Sequence, residues 1–276
     1  MLKKNHDFDL STYLFYTGII ITLFFLIIAL SANFWQHIGV IKDPLESLAN
    51  PIHQAPDSQY WWGTTGQGYD VFSRTIFGTQ TAFKVVILAT SLSLIIGVPL
   101  GLVSGYFGGN LDKFLLFIMD TIYTLPGLLL SITLAFVVGR GILNASIALS
   151  ISYIPQYYRV VRNQTTSVKN ELFVEAATAT GAGEGRILSK YIFFNVVQSI
   201  PVLFTLNTAD AILILGGLGF LGLGLPDNVP EWGYDLRLAL DGLPTGIWWT
   251  AFFPGFTMTL MVTGLSLLGE GLTRNK

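Results

Sequence analysis

YLFYTGIIITLFFLIIALSA, residues 13–32, is a run of twenty residues without a charged side chain. An α-helix rises ~1.5 Å per residue, so this run matches the roughly 30 Å hydrocarbon core of a bilayer. Lys3 and Lys4 precede it, which leaves a cleaved signal peptide as the alternative, but the apolar part of such a peptide is usually about 7–15 residues long. We therefore predict an uncleaved transmembrane helix.

The composition of the whole chain points to lipid as the solvent. Hydrophobic residues make up 51% of the 276 residues and charged residues 12%, with a mean hydropathy of +0.58, whereas soluble domains carry about 25% charged residues. The formal net charge of −2 gives no sign of a nucleic-acid partner. Because the chain has no cysteine, disulfides and thiolate metal sites are excluded.

Five further apolar runs follow the first one. Pro and Gly interrupt several of them, but neighbouring helices can satisfy the backbone groups that these residues free within a membrane. The sequence thus predicts an all-α polytopic membrane protein with about six transmembrane helices. We divide it into a tail and first helix (1–33), an external segment (34–81) and a five-helix core (82–276) containing a cytoplasmic loop (159–195). The runs are 82–103, 114–138, 142–158, 196–223 and 248–268.

The distribution of Lys and Arg predicts the orientation. Six spans place both termini on one side of the membrane, and that side then carries ten basic residues against five on the other. Cytoplasmic loops carry the excess of Lys and Arg, so we expect the termini and the 159–195 loop in the cytoplasm. The ten are Lys3, Lys4, Lys113, Arg159, Arg162, Lys169, Arg186, Lys190, Arg274 and Lys276, and the five are Lys42, Arg74, Lys84, Arg140 and Arg237.

Patterns typical of enzymes are missing from the sequence. None of the eight lysines follows a glycine, so there is no GxxxxGK[ST] phosphate-binding loop. The three histidines lie outside the predicted spans and no HExxH zinc motif occurs. We therefore expect a non-catalytic chain with no metal site and no cofactor of its own.

Two carboxylates lie within predicted spans. A charge near the bilayer centre costs several kcal/mol, and such residues usually face a bundle interior or a water-filled cavity. Asp120 and Asp210 are therefore candidates for lining a solute path. The alternative for each is a carboxyl group near a span end or one hydrogen-bonded to a neighbouring helix, and Asp120 lies only about two turns from its cytoplasmic end.

The cytoplasmic loop contains ELFVEAATATGAGEGRILSKYIFFN, residues 171–195. This pattern predicts a short helix through Thr180, a glycine-rich turn and a second helix from about Arg186. Gly181 stands where a helix would end in the left-handed region, which glycine adopts at little cost. The alanines around the turn leave little bulk, so the loop could be a docking element or a simple connection.

Part of this loop resembles the EAA motif of permease subunits of bacterial ATP-binding-cassette (ABC) importers. The sequence Glu175-Ala176-Ala177 is followed by Gly181, Ala182 and Gly183, with Ile192 eleven residues after Gly181. The resemblance implies that these residues dock onto ATPase subunits through coupling helices. The family usually has Leu-Pro where this chain has Phe193-Phe194.

Similarity to the dipeptide, oligopeptide and nickel permeases extends over nearly everything from residue 61 onward. It is greatest for the second permease subunit of these systems, the DppC/OppC type. Leu215 occupies a position where this family often has a glutamate. The segments that carry the similarity are WWGTTGQGYDVFSRTIFGTQTAF (61–83), GVPLGLVSGYFGGNLD (97–112), FLGLGLPDNVPEWG (220–233) and FFPGFTMTLMVTGLSLLGEGLTR (252–274).

The resemblance implies a machine with further subunits in the bacterial plasma membrane. These would be a second permease subunit forming a heterodimer, two ATPase subunits that bind ATP-Mg, and an extracytoplasmic solute-binding protein, with lipid around the spans. We expect peptides as the solute. The alternatives are nickel or a metal chelate carried by the same machine and, from another class, a secondary transporter driven by an ion gradient.

Overall fold

The protein is a bundle of helices. The computed structural model describes the backbone of residues 4–47 and 50–274 and the side chains of residues 12–47 and 50–273. These residues contain no β-strand beyond an isolated bridge between Thr64 and Asp70. The helices are α1 Lys4–His37, α2 Val71–Phe107, α3 Gly109–Tyr123, α4 Gly127–Val138, α5 Ile142–Val168, α6 Leu172–Ala179, α7 Glu184–Phe220, α8 Trp232–Ala239 and α9 Trp249–Arg274.

Four of these helices, α1, α2, α7 and α9, are long and apolar enough to cross a membrane. The predicted continuous span over 114–138 is wrong, because α3 and α4 meet there at a bend of 90° and meet the same criteria only as a pair. The bend follows from Pro126, which lacks a backbone N–H and disfavours helical geometry in the residue before it.

The fourth predicted run lies in α5, which is not among the helices apolar enough to be a membrane span by composition. With 27 residues it is long enough, at about 40 Å. It packs against α2, α3, α4 and α7, and its buried side chains include Ser146, Tyr153 and Tyr157. Its buried polar side chains pack within the protein. The all-α polytopic fold class is confirmed, with four apolar spans, a fifth if the bent α3–α4 pair is counted, and α5 as a further long helix.

The closest helix pairing joins α2 and α5 through glycines on one face of α2. Gly97, Gly101 and Gly105 recur every fourth residue and lie against backbone carbonyl oxygens of α5. A Cβ at Gly101 would stand 2.7 Å from the carbonyl oxygen of Tyr158. Small residues at this spacing let helix backbones approach closely within a membrane, and this seam organises the bundle.

The second helix begins eleven residues before the predicted span. Asp70 caps it by accepting a hydrogen bond from the backbone N–H of Ser73 at 2.9 Å, which satisfies one of the unpaired donors at the helix start. Lys84, counted from the sequence among the external residues, lies inside α2, and its ammonium donates to Gln80. Arg74 of the same group also lies inside α2, so the side of the membrane assigned to these two residues stays a prediction.

Candidate docking elbow and translocation face

The docking elbow, defined as residues 171–186, connects α5 to α7. As the sequence predicts, α6 is followed by a glycine turn and a second helix that begins at Glu184. Gly181 has φ +82°, and no atom lies within 4 Å of the place where its Cβ would be. The turn thus projects from the rest of the chain in a backbone conformation that favours glycine.

The elbow exposes apolar side chains to the surroundings of the chain. Leu172 and Phe173 are 79% and 41% exposed, while Val174 and Ala177 are buried against the first turns of α7. Ala177 therefore anchors α6 to its own chain and offers no surface to a partner. Of the other predicted residues, Ala182 is half-buried and Glu175, Ala176, Gly181 and Gly183 are exposed.

A π-helical segment joins the elbow to the membrane part of α7. It covers Ile187–Ile192, and both of these isoleucines are buried in the core. Wider turns of this kind are rare and are frequent at functional sites. A displacement of the elbow would therefore reach the bundle through residues that are packed at both ends of the π-segment.

Asp120 lies at the end of the bundle where α3 approaches α5. Its carboxylate accepts hydrogen bonds from Arg159 Nη2 at 2.7 Å and Nε at 3.2 Å. The guanidinium also lies 3.9 Å from the ring centre of Tyr123. This geometry matches the alternative of a carboxylate bonded to a neighbouring helix.

A second arginine–carboxylate pair, next to the first, is absent from our sequence-based predictions. Arg162 binds Asp112 through two hydrogen bonds of 2.6 Å, and Ser104 connects Asp112 to the hydroxyl of Tyr158. The pair joins α2, α3 and α5. No sequence signal could have found it, because the two residues lie 50 positions apart and only the packing of α3 against α5 brings them together.

Asp210 lies halfway along the Ile200–Phe220 part of α7 and is exposed in the single chain. Its carboxylate accepts a hydrogen bond of 2.9 Å from the Tyr153 hydroxyl of α5. Leu206, Leu213 and Phe220 share its helix face and are 40–47% exposed. The start of α4 lies beside this stripe, with Leu128 against Gly217 and Leu129 57% exposed. The stripe and this part of α4 form an uncovered surface in the single chain, here named the α4–α7 face.

A set of buried charges also escaped the sequence analysis. Arg74, at the start of α2, pairs with Asp235 of α8 at 2.7 Å, and both are at least 94% buried. The Glu231 carboxylate caps α8 by accepting from the backbone N–H groups of Gly233 and Tyr234. Burial raises the pKa of Glu231 to about 8 against the opposing effect of these two bonds. The outer segment is thereby tied to α2.

The comparison with protein families agrees with this architecture. Residues 97–275 match the family of binding-protein-dependent transport system inner membrane components. The chain belongs to this family and is a transmembrane permease subunit of an ABC importer in the bacterial inner membrane. Membership favours the ATP-driven machine over the alternative driven by an ion gradient.

Individual relatives agree with the family match. A dipeptide transport system permease protein DppC of Alkalihalophilus pseudofirmus is 35% identical over 276 residues, 98% of this chain and 85% of the relative. A glutathione transport system permease protein GsiD of Pectobacterium atrosepticum is 34% identical over 221 residues, 80% of this chain and 73% of the relative.

A solved structure shares the fold. It is an inward-facing form of the MetNI methionine ABC transporter, matched with a TM-score of 0.58 and 16% identity over 73% of this chain and 94% of that one. The arrangement of helices described above is therefore that of a known ABC transporter permease.

Proposed function

We propose that this chain is one of two permease subunits of a bacterial peptide importer and that its α4–α7 face lines the solute path. The related permeases named above serve dipeptide and glutathione transport systems, and dipeptides and glutathione are both small peptides. The alternative of nickel or a metal chelate has no comparable support among them.

The observation that carries the path assignment is the exposed carboxylate of Asp210. An ionised group at the centre of a membrane helix costs about 2.5–3.5 kcal/mol on insertion scales. One hydrogen bond from Tyr153 satisfies only part of a carboxylate that can accept several. A surface that carries such a group faces water or another subunit instead of lipid, as a path between two permeases would.

The docking elbow supports the assignment of partners. Its exposed Leu172 and Phe173 beside a small-residue turn suit insertion into a groove of an ATPase subunit. ATP-Mg would bind to two such subunits, and a solute-binding protein would deliver the peptide from outside. The π-segment would transmit ATPase closure to α7, and ATP must then favour one arrangement of the bundle over the other.

The path assignment is tested with Asp210→Asn in the complete complex, reconstituted with its binding protein. We expect ATP-driven peptide uptake to fall by about tenfold or more, as for loss of an interaction with a charged group. Thr205→Val is the matched control, since Thr205 lies about 140° away on the same helix and against α9. Unchanged uptake in Asp210→Asn would show that the carboxylate of Asp210 does not serve the solute path.

The solute class requires a separate experiment. The same wild-type complex is offered di- and oligopeptides and, separately, free nickel. We expect peptide uptake that depends on ATP. If free nickel enters and peptides neither compete nor enter, the peptide assignment is wrong.

A further inference from the structure

A polar cavity of about 460 Å³ opens on the side of the bundle opposite the docking elbow. Its volume lies in the range of small-molecule sites, roughly 300–1,000 Å³. The turn between α4 and α5, the chain after α7, and α8 with the residues after it all contribute to its wall. We name it the outer charge pocket, and its lining residues are Arg140, Asp227, Tyr234, Arg237, Leu238, Leu240 and Asp241.

One charge pair in this pocket is structural. Arg140 Nη1 donates to Asp227 Oδ1 at 3.0 Å and so joins the turn after α4 to the chain after α7. The bond holds together the outer ends of the two helices that carry the α4–α7 face. The pocket therefore lies at the outer end of that face.

The other two charges of the pocket are available to a ligand. Within the described part of the chain, Arg237 and Asp241 form neither an ion pair nor a side-chain hydrogen bond. The guanidinium of Arg237 lies over Gly222, where a Cβ would stand 1.8 Å from its Nη1. Gly222, at φ +75°, thus makes room for this position. A cation and an anion four residues apart remain unpaired in one cavity.

This arrangement is complementary to a molecule with one charge of each sign at its ends. Arg237 lies in the last turn of α8 and Asp241 in the turn that follows the helix, and both line this one cavity. An extended dipeptide spans at most about 7 Å. A guanidinium recognises a carboxylate through two parallel hydrogen bonds. An ammonium group is the corresponding partner for Asp241.

We propose that the outer charge pocket receives the two termini of a free peptide at the entrance of the path, with Arg237 binding the α-carboxylate and Asp241 the α-ammonium. The inference rests on the proposed function and deepens it. A longer peptide would engage one terminus in the pocket and extend along the α4–α7 face towards Asp210.

The test uses the complete complex with its binding protein, in which a photoreactive benzophenone amino acid replaces Leu238, a pocket residue. Radiolabelled dialanine is the probe. We expect a light-dependent dialanine adduct at this position that Arg237→Gln or Asp241→Asn weakens by about tenfold, as for loss of a charge-assisted hydrogen bond. The control places the photoreactive residue at Ile52, which is 68% exposed in the other external segment, where we expect no adduct.

Three results would overturn the proposal. The first is dialanine uptake without an adduct in the pocket. The second is an adduct that both charge variants leave unchanged. The third is an adduct with the binding protein alone, which would make the pocket a docking surface for that protein. If the wild-type complex takes up no peptide at all, the proposed function fails and this inference fails with it.

Discussion

At the residue scale, Glu231 makes stability depend on pH. Its pKa in the folded protein is raised from 4.5 to about 8 because the carboxyl group is buried. The folded state therefore holds a proton that the unfolded state releases near pH 4.5. The stabilisation that this proton provides is fully present below pH 4.5, the pKa of the group in the unfolded state. It is lost as the pH rises to about 8, the pKa of the group in the folded protein, so stability falls over this range.

Replacing this carboxyl group by an amide should remove the dependence. Glu231→Gln cannot ionise, and its one amide oxygen can accept only one of the two hydrogen bonds that the Glu231 oxygens accept from the start of α8. We expect it to unfold at a lower temperature than the wild type near pH 5, and we expect this deficit to shrink or reverse at pH 9, where the wild type has lost the contribution of its proton. Thermal unfolding in detergent at both pH values measures this. The prediction is contradicted if the unfolding temperatures of the wild type and of Glu231→Gln change equally between the two pH values.

Gly181 is the residue on which the shape of the docking elbow depends. Its φ of +82° is strained for a β-branched side chain, whereas Gly183 has φ −70° and ψ 155°, which such side chains adopt readily. Neither glycine has an atom within 4 Å of its would-be Cβ. The two positions therefore differ in backbone conformation and not in available space.

Gly181→Val should consequently impair coupling more than Gly183→Val does. The left-handed region costs L-residues roughly 1–2 kcal/mol, which is enough to shift the turn while the chain still inserts. We expect Gly181→Val to lose most stimulation of the ATPase activity by the loaded binding protein, with Gly183→Val as the matched control. Equal, wild-type stimulation in both variants would remove the turn from the coupling role.

At the scale of elements, the glycine seam between α2 and α5 determines how closely the bundle packs. A Cβ at Gly101 would stand 2.7 Å from a backbone oxygen and 2.9 Å from the Cβ of Val161. Backbone atoms cannot rotate away as a flexible side chain can, so α2 and α5 would have to separate. The same methyl group at Gly127, the first residue of α4, meets side-chain atoms at ordinary van der Waals distances, the nearest at 3.4 Å.

Gly101→Ala should therefore destabilise the protein by about 1–3 kcal/mol, the usual cost of overpacking. Gly127→Ala is its matched control and should be close to neutral. The midpoint of thermal unfolding in detergent provides the measurement. The seam would lose its importance if both variants unfolded at the same temperature.

At the scale of the whole molecule, the excess of basic residues predicts cytoplasmic termini. The chain has no cysteine, so single cysteines can be introduced without background. Ser167 and Ser58 are both exposed. Ser167→Cys should react with a membrane-impermeant thiol reagent only from the cytoplasm, and Ser58→Cys only from outside. Labelling of both positions from the same side would contradict the topology with six transmembrane helices that the sequence predicts.

The sequence predicted the regular features of this molecule and missed those that depend on distant contacts. Long apolar runs predicted the helices because lipid requires every backbone group to be satisfied within a helix. The two helices joined by a turn at Gly181 were predicted correctly, because the preference of glycine for a left-handed backbone conformation acts within a few residues. The bend between α3 and α4 escaped notice although Pro126 signals it, because a run of apolar residues looks the same whether it is straight or broken.

By itself, the sequence determined the fold class, the family and the position of the docking elbow, since composition, local backbone preference and motif spacing act within a few residues. Only the tertiary structure decided which carboxylates have partners. Asp120 meets Arg159, while the exposed carboxylate of Asp210 is bound by Tyr153 alone among the described residues. The physical reason is that an ion pair across a bundle depends on helix packing, which joins residues 39 or 57 positions apart and leaves no trace in local spacing.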